Sequence, residues 1–143
     1  MNNPIALTHD FFFGGRAKFT VESQKTGEWR TYRIGKGKPS PAYPKPAWFV
    51  SLLSGPDNEN SFTYIGMIDP GTGALTLTRN SRRNDKSPDV VIFRWLMSHV
   101  FGDKMLPNAI VHHEGKCGCC GRSLTVPESI KRGIGPECWS RMA

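Results

Sequence analysis

Three cysteines near the C-terminus have the residue type and the spacing of a metal site. Cys117 and Cys120 form a C-x-x-C pair followed by Gly121, which lets two thiolates reach one tetrahedral ion from a tight turn. Cys138 follows Pro136, which suits the first turn of a helix, where the positive end of the helix dipole favours a thiolate. A tight turn with two cysteines and a helix with a third predict a treble-clef-like zinc module.

The fourth ligand of this predicted site must come from outside its helix. No second cysteine follows Cys138, because the next residues are Trp-Ser-Arg. We favour His113 over its neighbour His112 as the ligand that completes the site. Cys119 is an alternative, although two adjacent cysteines rarely both reach an ion that a third cysteine two positions back also binds. Two further alternatives are a water molecule as the fourth ligand and a site that binds no metal.

Disulfide pairing of the cysteines would require an exported chain. The N-terminal sequence MNNPIALTHDFFFGG has no basic leader, no apolar stretch of secretory length and no small-residue cleavage pattern. We therefore expect a reducing, cytoplasmic location. No stretch approaches the roughly 18 consecutive apolar residues of a membrane-spanning helix, so we expect no membrane partner.

The run CGCCGRSLTVPESIKRGIGPEC, from Cys117 to Cys138, resembles a short zinc-motif domain of unknown function at the C-termini of small bacteriophage and prophage proteins. The shared elements are a histidine before the first cysteine, then C-x-x-C-G-R, L-T, P-x-S-I and G-I-G-P-x-C. The resemblance covers about the last quarter of the chain. It implies a phage-encoded protein in the host cytoplasm with cysteine ligands at 117, 120 and 138, and it implies no activity. Cys119 stands where such sequences have another residue, which supports leaving it out of the ligand set.

The chain before this segment has the pattern of an antiparallel β domain, residues 1–110. Residues 17–22 alternate between apolar and polar side chains, and residues 29–34 contain aromatic and β-branched residues. A turn sequence joins the two segments, so they predict a hairpin. Residues 11–15, three phenylalanines followed by two glycines, are expected to add a short strand or a bulged entry to it. The proline- and glycine-rich residues 34–46 predict a long surface loop.

Further strands are predicted at residues 48–53, 61–69 and 74–79. A helix is predicted at about residues 88–101, with Ser87 as N-cap and Gly102 at its end. The expected fold class is therefore α+β: a small antiparallel sheet or partly open barrel, one packed helix, and a zinc module at residues 111–143.

Basic residues outnumber acidic ones, 19 to 12, which gives a net charge of +7. Residues 49–75 contain no lysine or arginine, so two basic regions flank an acidic middle. This balance suits a polyanionic partner such as nucleic acid, although solvated surfaces are often basic as well. The candidate phosphate ligands are the cations of the predicted hairpin and of the linker before the helix: Arg16, Lys18, Arg30, Arg33, Arg79, Arg82 and Arg83.

Aromatic residues of the β domain have two interpretations. They are either platforms on which unpaired bases stack or, as is more common for strand aromatics, parts of the core. The residues concerned are Phe11, Phe12, Phe13, Trp29, Tyr32 and Tyr43.

Catalysis has little support in the sequence. No nucleophile elbow, phosphate-binding loop, metalloprotease pair or carboxylate cluster is present, and a zinc ion with four protein ligands has no open position for water. We expect a small phage-type accessory protein with structural zinc that binds nucleic acid through a basic face of the β domain. The alternative is a protein-binding modulator or inhibitor of a host or phage enzyme. The sequence does not indicate the oligomeric state of the protein.

Overall fold

A computed structural model describes residues 4–38, 41, 45–55, 61–102, 104–125 and 127–142. Within these ranges the elements are α1 (His9–Phe12), β1 (Arg16–Ser23), β2 (Trp29–Lys36), β3 (Trp48–Leu53), β4 (Phe62–Ile68), β5 (Leu75–Thr76), α2 (Pro88–Gly102), β6 (Ala109–His113), α3 (Pro127–Arg132) and α4 (Pro136–Met142). The strands form one antiparallel sheet in the order β5-β4-β3-β2-β1-β6. The predicted α+β class is confirmed.

The pairing of β1 with β2 shows which residues lie on each face of the sheet. Phe19 pairs with Tyr32, and Lys18 pairs with Arg33 in the adjacent register position. Because successive side chains of a strand point to opposite faces, Phe19 and Tyr32 lie on one face and Lys18 and Arg33 on the other. Phe19 and Tyr32 are fully buried. We call their side the core face and the opposite side the outer face.

The helix α2 covers the core face. Its buried residues include Val90, Phe93 and Leu96, none of which has any exposed surface. The Phe93 ring lies 5.3 Å from the Tyr32 ring, and the Tyr32 hydroxyl donates a hydrogen bond to the Asp89 carbonyl at 2.8 Å. The helix begins at Pro88 and ends at Gly102, so the predicted helix is confirmed to within one residue.

The three consecutive phenylalanines form a helix and its last turn instead of a strand. Phe11 and Phe12 belong to α1 and are fully buried, and Phe12 packs edge-on against Phe19 with ring centroids 4.8 Å apart. A strand would point these two side chains to opposite faces, whereas neighbouring residues of a helix are about 100° apart and can both enter one core. The predicted strand or bulged entry at residues 11–15 is therefore wrong.

Most of the candidate stacking aromatics belong to the core. Phe13 is also buried, with 8% of its surface exposed, so only Trp29, at 55%, is open to solvent among the described candidates. Tyr43 lies outside the described residues, as does part of the predicted loop at 34–46.

The strand β6 brings the C-terminal quarter of the chain into the sheet. It pairs with β1, with His113 opposite Phe19 and His112 opposite Thr20. The predicted boundary between residues 110 and 111 thus falls inside this strand. In the described parts of the chain no helix is both long enough and apolar enough to cross a membrane.

A candidate metal centre and the basic cleft beside it

Residues 115–124 form the closed turn that carries the first two cysteines. Lys116 and Ser123 form an antiparallel bridge. The Cys117 N–H donates to the Arg122 carbonyl at 2.8 Å, and the Gly121 N–H donates to the Cys117 carbonyl at 2.9 Å. Gly121 has φ +79°, in the left-handed region that favours glycine. These bonds make residues 115–124 the tight turn that the C-x-x-C-G sequence predicts, and we call it the knuckle.

The Cys117 sulfur accepts three backbone hydrogen bonds. Its donors are the N–H groups of Cys119 at 3.3 Å, Cys120 at 3.4 Å and Gly135 at 3.2 Å. Burial raises the pKa of the Cys117 thiol, but these amide donors, together with the Cys120 side chain, bring its pKa down to about 7. Hydrogen bonds to a charged group favour the charged form. The site is therefore suited to a thiolate, which is the form that binds a metal.

Cys138 supplies the third sulfur from the first turn of α4. The residue is buried, and burial raises the pKa of its thiol to about 12, with further contributions from hydrogen bonding to the thiols of Cys119, Cys120 and Cys117. The sulfurs of Cys117, Cys120 and Cys138 all lie within 4.8 Å of one another. We call these three atoms the three-sulfur cluster.

The three-sulfur cluster fits a metal ion. Metal–sulfur bonds of about 2.3 Å in a tetrahedral site hold the sulfurs about 3.8 Å apart, so a small contraction of the observed group is sufficient. All four cysteines are free, and none is held in a disulfide. The ion would be held by Cys117, Cys120 and Cys138, which are the three cysteines predicted from the sequence.

The three-sulfur cluster does not include His113, the predicted fourth ligand. The His113 Nδ1 accepts a hydrogen bond from the Gly115 N–H at 2.8 Å, and its Nε2 donates to the Ile130 carbonyl at 2.5 Å. Both ring nitrogens are therefore engaged, and the ring links β6 to α3. The ligand role predicted for His113 finds no support in this geometry.

The pKa of His113 agrees with a neutral ring. Burial lowers the pKa of the His113 imidazole below its ordinary value, against the opposite effect of the bond to Ile130, and the neighbouring His112 lowers it further. His112 lies on the other face of β6, with its Nε2 3.2 Å from Glu22 Oε1. It too is outside the three-sulfur cluster.

Cys119 is the remaining thiol beside the cluster. It is half-buried, and after burial its thiol is the next contributor to the raised pKa of the Cys138 thiol. Its sulfur is not within the 4.8 Å group.

The knuckle and the sheet share one hydrophobic core. Cys117 and Cys138 belong to the same buried cluster as Phe11. A Cβ on Gly118 would approach Phe11 Cδ1 to 2.9 Å, so the backbone of the knuckle lies directly against this ring. The Arg16 N–H also donates to the Gly118 carbonyl at 2.7 Å. The candidate metal centre is thus attached to α1 and β1 by packing and by a backbone hydrogen bond.

Two of the predicted phosphate ligands are held by a carboxylate in the first turn of α2. Arg30 Nε lies 3.0 Å from Asp89 Oδ1, and Arg83 Nε lies 2.8 Å from Asp89 Oδ2. Arg30 pairs with Val21, a core-face residue, so it lies on the opposite face from Lys18. The expectation of one basic face of the β domain is therefore wrong for Arg30.

The other three hairpin cations line a single cleft. Arg16, Lys18 and Arg33 surround a cavity of about 300 Å³ together with Lys116 and Glu114. We call this the basic cleft. It lies between the outer face of the sheet and the knuckle, since Lys116 belongs to the knuckle. Arg79 and Arg82 of the linker are exposed and are not among its lining residues.

Three contacts orient the cations of the basic cleft. Lys18 Nζ lies 3.3 Å from Glu114 Oε2. The Arg33 guanidinium lies over the Phe62 ring, 4.2 Å from its centroid, and Arg16 NH1 donates to the Cys120 carbonyl at 3.4 Å.

Sequence reasoning did not find the contributions of Lys116 and Glu114. The sequence feature that could have indicated these two residues is their position on either side of Gly115, just before the C-x-x-C pair. There a closed turn brings the chain back toward β1. Phe62 was also missed, because nothing in the sequence indicates that β4 lies close enough to β2 for contact with Arg33.

Among the comparisons with known proteins, one gives a match, and it covers the C-terminal part of the chain. Residues 111–143 match the Family of unknown function (DUF6011). No curated protein and no solved structure matches the chain. The match contains β6, the knuckle, α3 and α4, and therefore all the residues of the three-sulfur cluster.

Proposed function

We propose that this protein binds nucleic acid through the basic cleft and that its C-terminal module is built on a structural zinc ion. The observation that supports binding is the convergence of Arg16, Lys18, Arg33 and Lys116 on one cavity. Among the described residues that line the cleft, these four cations stand against one carboxylate, that of Glu114, an excess of three positive side chains. A concentration of positive charge in a concave site attracts phosphate groups.

Zinc is the metal that suits the three-sulfur cluster best. Thiolates are soft ligands, and a closed site of cysteines on a knuckle and a helix is typical of structural zinc. When bound, the ion would fix the knuckle to α4. Arg16 bonds to the Cys120 carbonyl and Lys116 belongs to the knuckle, so the order of the metal centre also determines the shape of the basic cleft.

The wider biological setting is part of the same proposal. The resemblance of the last quarter of the chain to phage and prophage proteins supports a phage-type accessory protein that acts in the host cytoplasm. The match to a family of unknown function covers the same residues.

The test is the salt dependence of oligonucleotide binding. The variant Arg16→Gln/Arg33→Gln removes two cations from the cleft, and Arg79→Gln/Arg82→Gln removes two exposed cations outside it. Each lost phosphate contact lowers the slope of log affinity against log salt by about 0.7 to 0.9. We expect the slope to fall by about 1.4 to 1.8 in the first variant and to stay nearly constant in the control.

Two results would reject the proposal. If the control flattens the slope as much as the cleft variant does, the binding face lies elsewhere. If the unmodified protein binds no oligonucleotide even at low salt, the nucleic-acid function fails and the protein-modulator alternative takes its place.

A further inference from the structure

The outer face of the sheet continues from the basic cleft into a group of aromatic rings. Arg33 on β2 is paired with Ser51 on β3, which is paired with Tyr64 on β4. Phe49 lies on the same face as Ser51, because the two are separated by one residue of the strand. Phe62 lies on the same face as Tyr64 for the same reason. Three rings thus follow the cations across neighbouring strands.

These rings are accessible and held in place. Phe49 is 38% exposed, and Phe62 and Tyr64 are half-buried. The Phe49 and Tyr64 rings are 6.2 Å apart and inclined at 62°, and the Tyr64 hydroxyl shares a 2.8 Å hydrogen bond with Thr78 Oγ1. Aromatic side chains with fixed positions on a strand lose little conformational entropy when a planar ligand stacks on them.

Phe62 connects the aromatic group to the basic cleft. Arg33 lies 4.2 Å and Lys18 5.6 Å from the centroid of its ring. A polymer that places a phosphate beside Arg33 and Lys18 therefore has a ring surface next to that phosphate. Alternating negative charge and planar groups are the chemistry of a nucleic-acid strand.

We propose that the outer face binds single-stranded nucleic acid, with phosphates in the basic cleft and unstacked bases against Phe62, Tyr64 and Phe49. This inference rests on the proposed function and specifies its substrate class. Positive charge alone binds duplexes and single strands alike. An aromatic surface favours the single strand, because the faces of its bases are free to stack, whereas those of a duplex are covered by neighbouring base pairs.

The first measurement compares three ligands of equal length at the same salt concentration: an oligothymidylate, an abasic deoxyribose-phosphate strand and a duplex. All three carry phosphates, and only the oligothymidylate offers free bases. We expect it to bind about fivefold or more tighter than the abasic strand, which is the effect of one stacked base. We also expect it to bind tighter than the duplex.

The second measurement uses Phe49→Leu, which keeps an apolar side chain and removes a ring that is 38% exposed, while the Phe62 ring that orients Arg33 stays in place. We expect about a fivefold loss of affinity for the oligothymidylate and no change for the abasic strand. The matched control is Trp139→Leu, which removes a ring of the same exposure, 38%, on α4 instead of the sheet. We expect this control to leave both affinities unchanged.

The outcomes separate this inference from the proposed function. Equal binding of the oligothymidylate and the abasic strand would overturn the single-strand inference and leave phosphate binding intact. Tighter binding of the duplex would do the same. Failure of all three ligands to bind at low salt would overturn the proposed function itself.

Discussion

The ring of Phe11 occupies the space that a Cβ on Gly133 would need. A side chain at this glycine would overlap Cδ1 and Cε1 of the ring, and Gly133 has φ +72°, which also favours glycine. The Gly133 N–H donates to the Ser129 carbonyl at 2.8 Å, and its carbonyl accepts from the Gly118 N–H at 2.7 Å. One phenylalanine of α1 is therefore enclosed by the backbone at the end of α3 and by the knuckle.

Removal of this ring should destabilise the whole protein. We expect Phe11→Ala to lower the free energy of unfolding by about 3 to 5 kcal/mol, as for other fully buried phenylalanines. Urea denaturation of the metal-loaded protein measures this change. The control Trp29→Ala removes a side chain that is 55% exposed and should change the free energy by no more than about 0.5 kcal/mol. Equal stability of the Phe11 variant and the unmodified protein would show that the module and the sheet are not coupled.

The metal centre should hold about one zinc ion per chain. We expect Cys120→Ser and Cys138→Ser to lose the metal together with the order of the C-terminal module, because metal binding supplies much of the folding free energy of such small sites. Elemental analysis of the purified variants measures the metal, and amide hydrogen exchange measures the order. Full metal retention in both variants would rule out the site.

A second pair of variants identifies the fourth ligand. We expect Cys119→Ser to weaken metal binding more than His113→Gln does, because the Cys119 thiol is close enough to Cys138 to help raise its pKa, while both nitrogens of His113 are engaged elsewhere. Competition with a chelator gives the two affinities. The opposite order would restore His113 as the ligand predicted from the sequence.

His113 should remain neutral at neutral pH. Its Nδ1 accepts the Gly115 N–H, so a proton added there would face another proton. Burial also lowers its folded pKa, while the unfolded value is about 6.5. Because the unfolded state then binds the proton more readily, the stability from His113 is fully present above about pH 6.5 and is lost as the pH falls through 6.5 toward the folded pKa.

An NMR titration of the imidazole protons measures the folded pKa directly. The His113→Gln variant, in which this signal is missing, assigns it. A midpoint at or above about 6.5 would contradict the arrangement of a buried, neutral ring.

The carboxylate of Glu114 should weaken anion binding by the basic cleft. It lies 3.3 Å from Lys18 and neutralises part of the positive charge. We expect Glu114→Gln to tighten oligonucleotide binding about two- to fivefold at low salt, within the range of exposed charge interactions, with the gain lost at high salt. Glu137→Gln is the matched control: it makes the same charge change on α4, next to Arg122 and Arg141 and outside the cleft. An equal gain in both variants would mean that net charge alone determines affinity.

The hairpin and the long helix could be predicted because their patterns repeat along the chain. Residues 17–22 alternate in the sequence, and the observed β1 extends this range by one residue at each end. Residues 88–101 carry apolar side chains at helical spacing behind a proline, and α2 starts at that proline. In both elements the local pattern and the tertiary packing favour the same structure.

The ligand set could be predicted only where sequence spacing determines geometry. The C-x-x-C pair closes its own turn, so Cys117 and Cys120 were found. The place of His113 depends on β6, in which alternate residues face opposite sides of the sheet, and on Ile130, which lies 17 residues away. No local pattern contains that information.

The positions of the charged side chains could also be predicted only where the local strand pattern determines them. Arg16, Lys18 and Arg33 lie on one face because they occupy alternating positions of paired strands. Arg30 has the opposite parity, and its partner Asp89 is 59 residues away in α2. Charge counts along the chain cannot distinguish a cation that is available to a phosphate from one that a distant carboxylate already holds.

The position of β1 between β2 and β6 determines when the sheet can be completed during synthesis. β1 forms a hairpin with β2 early, but its other edge receives β6 only after residue 113 has been made. Until then this edge of β1, which lies inside the finished sheet, presents unpaired backbone N–H and C=O groups. Another chain can form hydrogen bonds with these groups. We therefore expect ribosome-bound or truncated chains that stop before residue 109 to be prone to aggregation, and we expect their solubility to be recovered once the β6 segment is included.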